Sequence, residues 1–174
     1  MSDYATLQAP DTLRFERLLP GPIERVWSYI AEPEKRRLWL AGGTAGLVPG
    51  GNIELVFRHD ELSSEPAPEQ YAGKKEHVQR GVVIACDPPR LLSHTWDGGT
   101  PNESEVTFEL TPRGDKVLLV VTHAKLAERP TRLGVAGGWH THLSVLADQL
   151  EQRERQPFWP MFSKYRAEYE NRLP

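Results

Sequence analysis

The sequence predicts an α+β fold in which a long carboxy-terminal helix covers one face of an antiparallel sheet. Apolar and polar residues alternate through most of residues 45–123, which is the period of a half-buried strand. Short turns rich in Gly, Pro and Asp separate these segments, as in an antiparallel meander. After them, Trp139, Leu143, Leu146 and Leu150 recur on one face of a helix. An antiparallel sheet has one apolar face to bury, and this helix is available to cover it.

The amino-terminal part predicts one strand followed by two short helices. Residues 1–11 are polar and predict a flexible arm, whereas residues 12–19 alternate and predict the first strand. Apolar residues then recur at helical spacing in residues 23–30, and a second short helix is expected at residues 34–40. A proline precedes each helix, where its missing N–H costs nothing.

The remaining sheet and the main helix follow in order. Residues 60–75 are polar, contain two prolines and predict a mobile loop at the rim of the fold. A second loop at residues 124–134 precedes the long helix, which is expected over residues 136–153. The later strands are expected at residues 45–48, 52–59, 76–86, 90–97, 103–111 and 115–123.

Residues 154–174 predict a carboxy-terminal helical extension. Phe162, Tyr165, Tyr169 and Leu173 fall on one face of that helix. A helix this short is marginal in water, so the aromatic stripe must pack on something. Docking onto the same domain and a symmetric dimer contact are both open, so the chain is expected to be a monomer or a homodimer. Membrane-surface binding is the third alternative, and the mixed charges of this segment weaken it.

Composition limits the classes of function. The 174 residues fit one domain, expected over residues 12–153, and 39% hydrophobic with 26% charged residues is ordinary for a folded protein. A formal net charge of -3 provides no basic field for nucleic acid or anionic lipid. Cys86 is the only cysteine and ends a predicted strand, so it is interpreted as a small buried side chain. Without a signal pattern or a transmembrane-length apolar run, the expected location is the cytoplasm.

Three stretches of the chain resemble a known family, and together they span about residues 12–152. They are Arg14 to Trp39, Gly81 to Trp96 around Asp87-Pro88-Pro89-Arg90, and Ser104 to Pro112 with Val121-Thr122-His123 and Gly138-Trp139. In this order they resemble the bacterial homologues of the heat-shock ATPase activator, within the START-like (SRPBCC), birch-pollen-allergen-like superfamily.

The resemblance implies a helix-grip fold, in which a curved sheet wraps around the carboxy-terminal helix and encloses a cavity. Many members of the superfamily bind lipids, hormones or other apolar molecules in that cavity, and some relatives are cyclases or dehydratases. The eukaryotic activators instead bind a chaperone. Both a small ligand and a chaperone are therefore candidate partners, and the resemblance itself does not choose between them.

The sequence offers little support for a metal site. His140 and His142 are two residues apart on a helix, about 200° around its axis, so they cannot hold one ion from one face. Four further histidines come from different strands, and nothing in their spacing requires that they converge. They are His59, His77, His94 and His123.

Motifs for catalysis or for a cofactor are also lacking. Alternation sends Ser93 and His94 to opposite faces of a strand, and no Gly-x-Ser-x-Gly elbow occurs. Gly42-Gly43 and Gly137-Gly138 match neither a Walker loop nor a dinucleotide fingerprint. The second glycine pair is interpreted as allowing close packing of a helix against a strand. No cofactor, no metal and no catalytic residue is predicted.

Aromatic side chains and two histidines are the candidate ligand-binding residues. Each aromatic residue alone is better explained by core packing, but as a set they fit an apolar pocket with a few polar groups. His94 and His123 are the candidates for polar contacts, with buried structural histidines as the alternative. The full set is Trp39, Phe57, His94, Trp96, Phe108, His123 and Trp139.

The predicted function is noncatalytic binding of a small hydrophobic or amphipathic ligand between the sheet and the long helix. A chaperone-linked protein-binding module and a cyclase- or hydrolase-like enzyme are the alternatives. Neither nucleic acid nor a membrane is an expected partner. The position of apolar surface separates the first two functions, since a ligand requires a cavity and a protein partner requires an exposed patch. An enzyme would require convergent titratable groups in the cavity.

Overall fold

Eight strands form one curved antiparallel sheet in the computed structural model, which describes residues 1–174. Along the sheet their order is β1-β2-β8-β7-β6-β5-β4-β3. The strands are β1 Thr6–Ala9, β2 Thr12–Pro20, β3 Gly42–Ala45, β4 Asn52–Phe57, β5 His77–Asp87, β6 Leu91–Trp96, β7 Ser104–Arg113 and β8 Lys116–Ala124. The helices are α1 Ile23–Ala31, α2 Pro33–Arg36, α3 Arg129–Glu151 and α4 Phe158–Arg172. The predicted α+β class, with two short helices after a strand, is confirmed.

One face of the sheet is buried beneath α3. Along β2 and β8 every second side chain points inward, as the strand period requires, and Leu13, Phe15 and Val121 are at most 1% exposed. The stripe of α3 that contains Leu143 and Leu146 completes the same core. This arrangement is the one that the alternation and the helical stripe predict.

The amino-terminal segment contains a strand instead of the expected flexible arm. β1 pairs antiparallel with β2, and Ala5 just before it is buried. The Ala5 N–H donates to the Tyr169 hydroxyl at 2.8 Å, which ties this segment to α4. Because β1 is an edge strand with mostly exposed side chains, it lacks the alternation by which a strand is recognised.

Two other boundaries differ from those predicted. Helix α2 ends at Arg36, and β3 occupies Gly42–Ala45 rather than residues 45–48. Gly43 has φ +99° and lies against the Glu54 backbone, so this strand needs a glycine that sequence alternation cannot reveal. The loop 60–75 begins within the 3-10 turn His59–Leu62 and contains the 3-10 turn Glu69–Tyr71; its mobility stays a prediction.

Helix α3 begins at Arg129, seven residues before the predicted start. Pro130 occupies its first turn, as is typical of a helix start, and Gly134, Gly137 and Gly138 lie inside the helix. The loop predicted at residues 124–134 is therefore shorter, because these glycines weaken the helical signal without breaking the helix. No helix of the protein is both long and apolar enough to span a membrane.

The carboxy-terminal extension forms α4 and packs against α3 in the same chain. Tyr169 is fully buried, and the Tyr165 ring stacks on His140 with centroids 3.7 Å apart. A Cβ on Gly137 would lie 3.1 Å from the Cβ of Arg166 on α4. Gly137 therefore permits close packing of two helices, not of a helix and a strand as predicted.

Candidate functional site

A cavity of about 200 Å³ lies between α3 and the end of the sheet where β4, β6 and β8 finish. No lysine, arginine, aspartate or glutamate lines it. Its lining residues are Leu40, Phe57, His59, His77, Gln79, Trp96, His123, Gly134, Val135, Gly138, Trp139 and His142.

The side chains of α3 explain why the cavity opens at this end of the sheet. Toward its carboxy-terminal end, the core-facing stripe carries Leu143, Leu146 and Leu150, which fill the core. On the adjacent face of the helix, Gly134 and Gly138 lie two turns and one turn before His142 and line the cavity with it. A Cβ at either glycine would have no neighbour within 4 Å. The cavity therefore occupies space that larger side chains at these two positions would take.

Aromatic rings form the walls. The Trp96 ring lies 5.7 Å from Phe57 and 5.5 Å from Trp139, measured between centroids. The Phe57 ring is 5.9 Å from His142, and His142 is 5.3 Å from His59. These separations are typical of interacting aromatic pairs, so the walls are preformed.

A second cavity of about 280 Å³ adjoins the first and shares His59, His77, Gly138 and His142 with it. We call it the vestibule. Its other lining residues are Tyr71, Lys74, Glu76, Phe158, Trp159 and Phe162. It is therefore built from the 60–75 loop, the start of β5 and the first turns of α4. The predicted rim and the carboxy-terminal extension meet here.

His123 is held in one tautomer by two buried partners. The Trp139 Nε1–H donates to His123 Nδ1 at 2.9 Å, and His123 Nε2 lies 2.8 Å from Ser104 Oγ. Burial lowers the pKa of His123 to about 3, so the ring is neutral. An indole N–H only donates, so the ring proton must be on Nε2 and points to Ser104. His123 therefore cannot accept the Ser104 proton, as a general base in a nucleophilic pair must.

His142 presents a free acceptor. Its Nδ1 lies 2.7 Å from the Trp39 carbonyl oxygen, so Nδ1 carries the proton that makes this bond. Burial, with a smaller effect of His59, lowers the pKa of His142 to about 3. The neutral ring thus leaves Nε2 with a lone pair and no partner within the chain. Burial likewise lowers the pKa of His59, which lines both cavities, to about 4.

Gln79 presents a free donor. It is 8% exposed, and the Asp97 backbone N–H donates to its Oε1 at 2.9 Å. This bond fixes the orientation of the amide, because the NH2 end cannot accept. The Nε2 amide protons therefore remain available on a residue that lines the cavity.

The structure divides the seven predicted site residues into two groups. Phe57, Trp96, His123 and Trp139 line the cavity. The others line a deeper void of about 10 Å³, which is too small for a ligand; they are Trp39, His94 and Phe108. Trp39 is fully buried beneath α3, and its Nε1–H donates to the Tyr29 carbonyl at 2.8 Å.

Several lining residues were missed by reasoning from the sequence. His59, His77 and His142 were considered only as metal ligands, and Gln79 was not considered. Strand parity was the signal available for Gln79, because it precedes the buried Val83 by four residues on β5. Gly134 and Gly138 carry no sequence signal for a cavity until the helix is known to begin at Arg129.

The remaining candidate chemistry finds little support in the geometry. No group of three or more His, Cys, Asp or Glu side chains is placed to hold a metal ion. Cys86 is half-buried, and burial followed by the neighbouring Asp87 raises the pKa of its thiol. A raised pKa lowers the thiolate fraction, which is unfavourable for a reactive cysteine.

Comparison with known proteins agrees with this fold. Residues 20–151 match the family model described as "Activator of Hsp90 ATPase homolog 1-like protein". The comparison with curated proteins gave no match.

Solved structures with the same fold include a close relative. The solution NMR structure of the BPP1335 protein from Bordetella parapertussis is 48% identical, with a TM-score of 0.82 over 96% of this chain and 88% of that chain. CalU16 from Micromonospora echinospora is 24% identical, with a TM-score of 0.67 over 93% of this chain and 87% of that chain. DynU16, a protein of the dynemicin biosynthetic locus, is 19% identical, with a TM-score of 0.66 over 85% of this chain and 50% of that chain.

Proposed function

We propose that this chain, which belongs to the family of Activator of Hsp90 ATPase homolog 1-like proteins, binds a small, largely apolar molecule without transforming it. The ligand occupies the cavity between α3 and the sheet and reaches solvent through the vestibule. The observation that carries the proposal is the preformed aromatic cavity of about 200 Å³, which no charged side chain lines. Apolar walls with a few placed polar groups are typical of ligand pockets.

The polar groups of the cavity favour binding over catalysis. Its lining residues include no carboxylate, lysine or cysteine, and burial lowers the pKa of His59, His123 and His142 to about 3 or 4, which makes these rings weak bases at neutral pH. His123 is committed to Trp139 and Ser104 in the tautomer that cannot act as a base toward Ser104. These observations count against the cyclase- or hydrolase-like alternative.

Binding of a neutral fluorescent dye, N-phenyl-1-naphthylamine, tests the proposal. We expect saturable binding with quenching of tryptophan emission, since Trp96 and Trp139 form the walls. Replacing Trp96 by Ala removes one aromatic wall and should lower dye affinity by about tenfold while the far-ultraviolet circular dichroism stays the same. Trp96 is only partly buried, so its removal leaves the core intact.

Trp27→Ala is the matched control. Trp27 is also partly buried, lies on α1 and lines neither cavity, so this variant should bind dye like the unmodified protein. Native mass spectrometry of the purified protein should in addition reveal a retained small molecule. If no apolar probe binds saturably, ligand binding is not the function.

A chaperone-linked role is the second candidate, supported by the family and by three exposed apolar side chains. Val48, Val82 and Ile84 are 61%, 43% and 45% exposed, and the latter two lie on the outer face of β5. An outer apolar patch is the feature that a protein partner would use.

Measuring the ATPase rate of an Hsp90 chaperone with and without the protein separates the two functions. Stimulation that a V82D/I84D double variant abolishes, while dye binding persists, would favour the chaperone-linked role. An unchanged ATPase rate together with saturable dye binding would favour the small ligand.

A further inference from the structure

We infer that the ligand of this cavity is a neutral, flat aromatic molecule of one or two fused rings that carries a hydroxyl group. The inference rests on the proposed function and adds the chemical class of the ligand. It depends on the hydrogen-bonding groups fixed in the cavity wall, on the absence of charge there and on the size of the cavity.

The wall contains an acceptor that requires a donor from the ligand. His142 Nδ1 donates to the Trp39 carbonyl oxygen at 2.7 Å, so the bare Nε2 can only accept. His142 is 5% exposed and lines both the cavity and the vestibule. A ligand that covers this nitrogen without donating to it loses the hydrogen bond that solvent would otherwise supply.

The wall also contains a donor that requires an acceptor. Gln79 Oε1 is occupied by the Asp97 N–H, so the Gln79 NH2 group is the end left to interact. A ligand that both accepts and donates hydrogen bonds can therefore satisfy Gln79 and His142. A hydroxyl is the simplest group with this property.

The uncharged lining and the size of the cavity narrow the chemical class of the ligand further. No cationic or anionic side chain lines the cavity, so a carboxylate or an ammonium group would lose its hydration without gaining a partner. The rings of Phe57, Trp96 and Trp139 offer faces and edges to a flat aromatic body. An apolar cavity of about 150 Å³ accommodates benzene, so a cavity of about 200 Å³ fits one or two fused rings.

Three probes with the same two-ring body test the inference on the unmodified protein. They are 2-naphthol, which donates and accepts, 2-methoxynaphthalene, which only accepts, and the anion 2-naphthoate. Isothermal titration at neutral pH should show 2-naphthol binding at least about fivefold more tightly than 2-methoxynaphthalene, because only 2-naphthol supplies a donor to His142. The carboxylate of 2-naphthoate should make it the weakest of the three.

Variants identify which wall group is responsible. His142→Phe removes the acceptor and should bring the affinities for 2-naphthol and 2-methoxynaphthalene together. Gln79→Leu removes a donor that both oxygens accept from, so it should weaken both probes and preserve their ratio. His140→Phe is the matched control, because His140 stacks on Tyr165 of α4 and lines neither cavity.

The histidine ring nitrogens give a readout that does not depend on variants. In protein with 15N-labelled histidine, the Nε2 resonance of His142 should move upfield with 2-naphthol, which donates to it, and should not move upfield with 2-methoxynaphthalene, which cannot donate. Equal affinities for these two probes, or tightest binding of 2-naphthoate, would overturn the inference and leave the proposed function standing. If none of the three binds but N-phenyl-1-naphthylamine does, only this inference fails; if the dye does not bind either, the proposed function fails as well.

Discussion

Ser104 and His123 together show how a buried polar pair is satisfied at the residue scale. The Nε2–H of His123 has Ser104 Oγ as its acceptor, and both residues are at most 2% exposed. If the serine oxygen is removed, the ring proton is left in a place that water cannot reach. Such an orphaned buried donor costs about 1–3 kcal/mol.

We therefore expect Ser104→Ala to lower the free energy of unfolding by about 1–3 kcal/mol. Ser93→Ala is the comparison, since Ser93 Oγ lies 2.9 Å from Thr107 Oγ1 on a partly exposed surface where water can replace it. That variant should cost less than about 1 kcal/mol. Urea unfolding measures both, and equal losses would show that His123 does not depend on Ser104.

Individual residues could be assigned to the cavity only where strand parity sufficed. Parity places Phe57 and Trp96 on the inner face, which is where the structure has them. The contact of Ser104 with His123 joins residues 19 apart and depends on the register of β7 against β8. The turn between the two strands sets that register, and the alternation of apolar and polar residues does not predict the geometry of the turn.

At the scale of elements, α3 carries glycines with opposite roles on two faces. A Cβ at Gly137 would press on the backbone of Arg166 in α4, whereas a Cβ at Gly138 would enter open space. Gly138 lines both the cavity and the vestibule. A side chain at position 137 should therefore strain the contact between α3 and α4, whereas a side chain at position 138 should only stiffen α3.

We expect Gly137→Ala to destabilise the protein by about 1–3 kcal/mol through overpacking against α4. Gly138→Ala should instead stabilise it by about 0.5–1 kcal/mol, because alanine is the better helix former and meets no neighbour. Thermal unfolding of the two variants measures this difference. Stabilisation by both would mean that α3 and α4 are not in close contact in solution.

Helix α4 should stabilise its own domain. Truncation after Arg155 removes Phe158, Trp159 and Tyr169, which are at most 6% exposed, and uncovers the parts of α3 and of residues 59–71 that they contact. We expect a melting temperature lower by several degrees at unchanged mass in solution. Light scattering measures the mass, and a change from two chains to one would instead place the stripe in a dimer contact.

Element types followed from the sequence, whereas several boundaries did not. The alternation identified β2 and β4 to β8, because their inner faces are mostly apolar. It missed β1, whose side chains are mostly exposed and which is held by pairing with β2 and by the hydrogen bond from Ala5 to Tyr169 just before it. The helical pattern also placed the start of α3 too late, because the glycines within the helix, Gly134 among them, weaken the helical signal.

At the scale of the whole molecule, the interior holds four histidines that are each at most 5% exposed. They are His94, His123, His140 and His142. Burial lowers the pKa of each ring to about 3 or 4, below the ordinary value near 6.5. The folded protein therefore keeps these rings neutral at a pH where the unfolded chain protonates them.

Folding stability should consequently fall as the pH drops below about 6.5 toward 4. In that window the unfolded state binds more protons, and each such histidine contributes a slope of up to about 1.4 kcal/mol per pH unit. Urea unfolding at pH 7.5 and 5.0 measures it. His142→Gln should make the slope shallower, because it removes one of these buried rings. A stability that does not change between these pH values would contradict the burial of neutral rings.

The two glycines at the cavity make its selectivity easy to redesign. Gly134 and Gly138 have no side chains and so leave space in the cavity wall. Neither has a neighbour that would resist a side chain there. A graded series of Ala, Val and Leu at these positions should exclude progressively smaller guests while the sheet keeps its shape. Relatives with the same backbone could differ in the size of ligand they accept through changes at these two residues alone. The accepted ligand size would then evolve without a change in the fold.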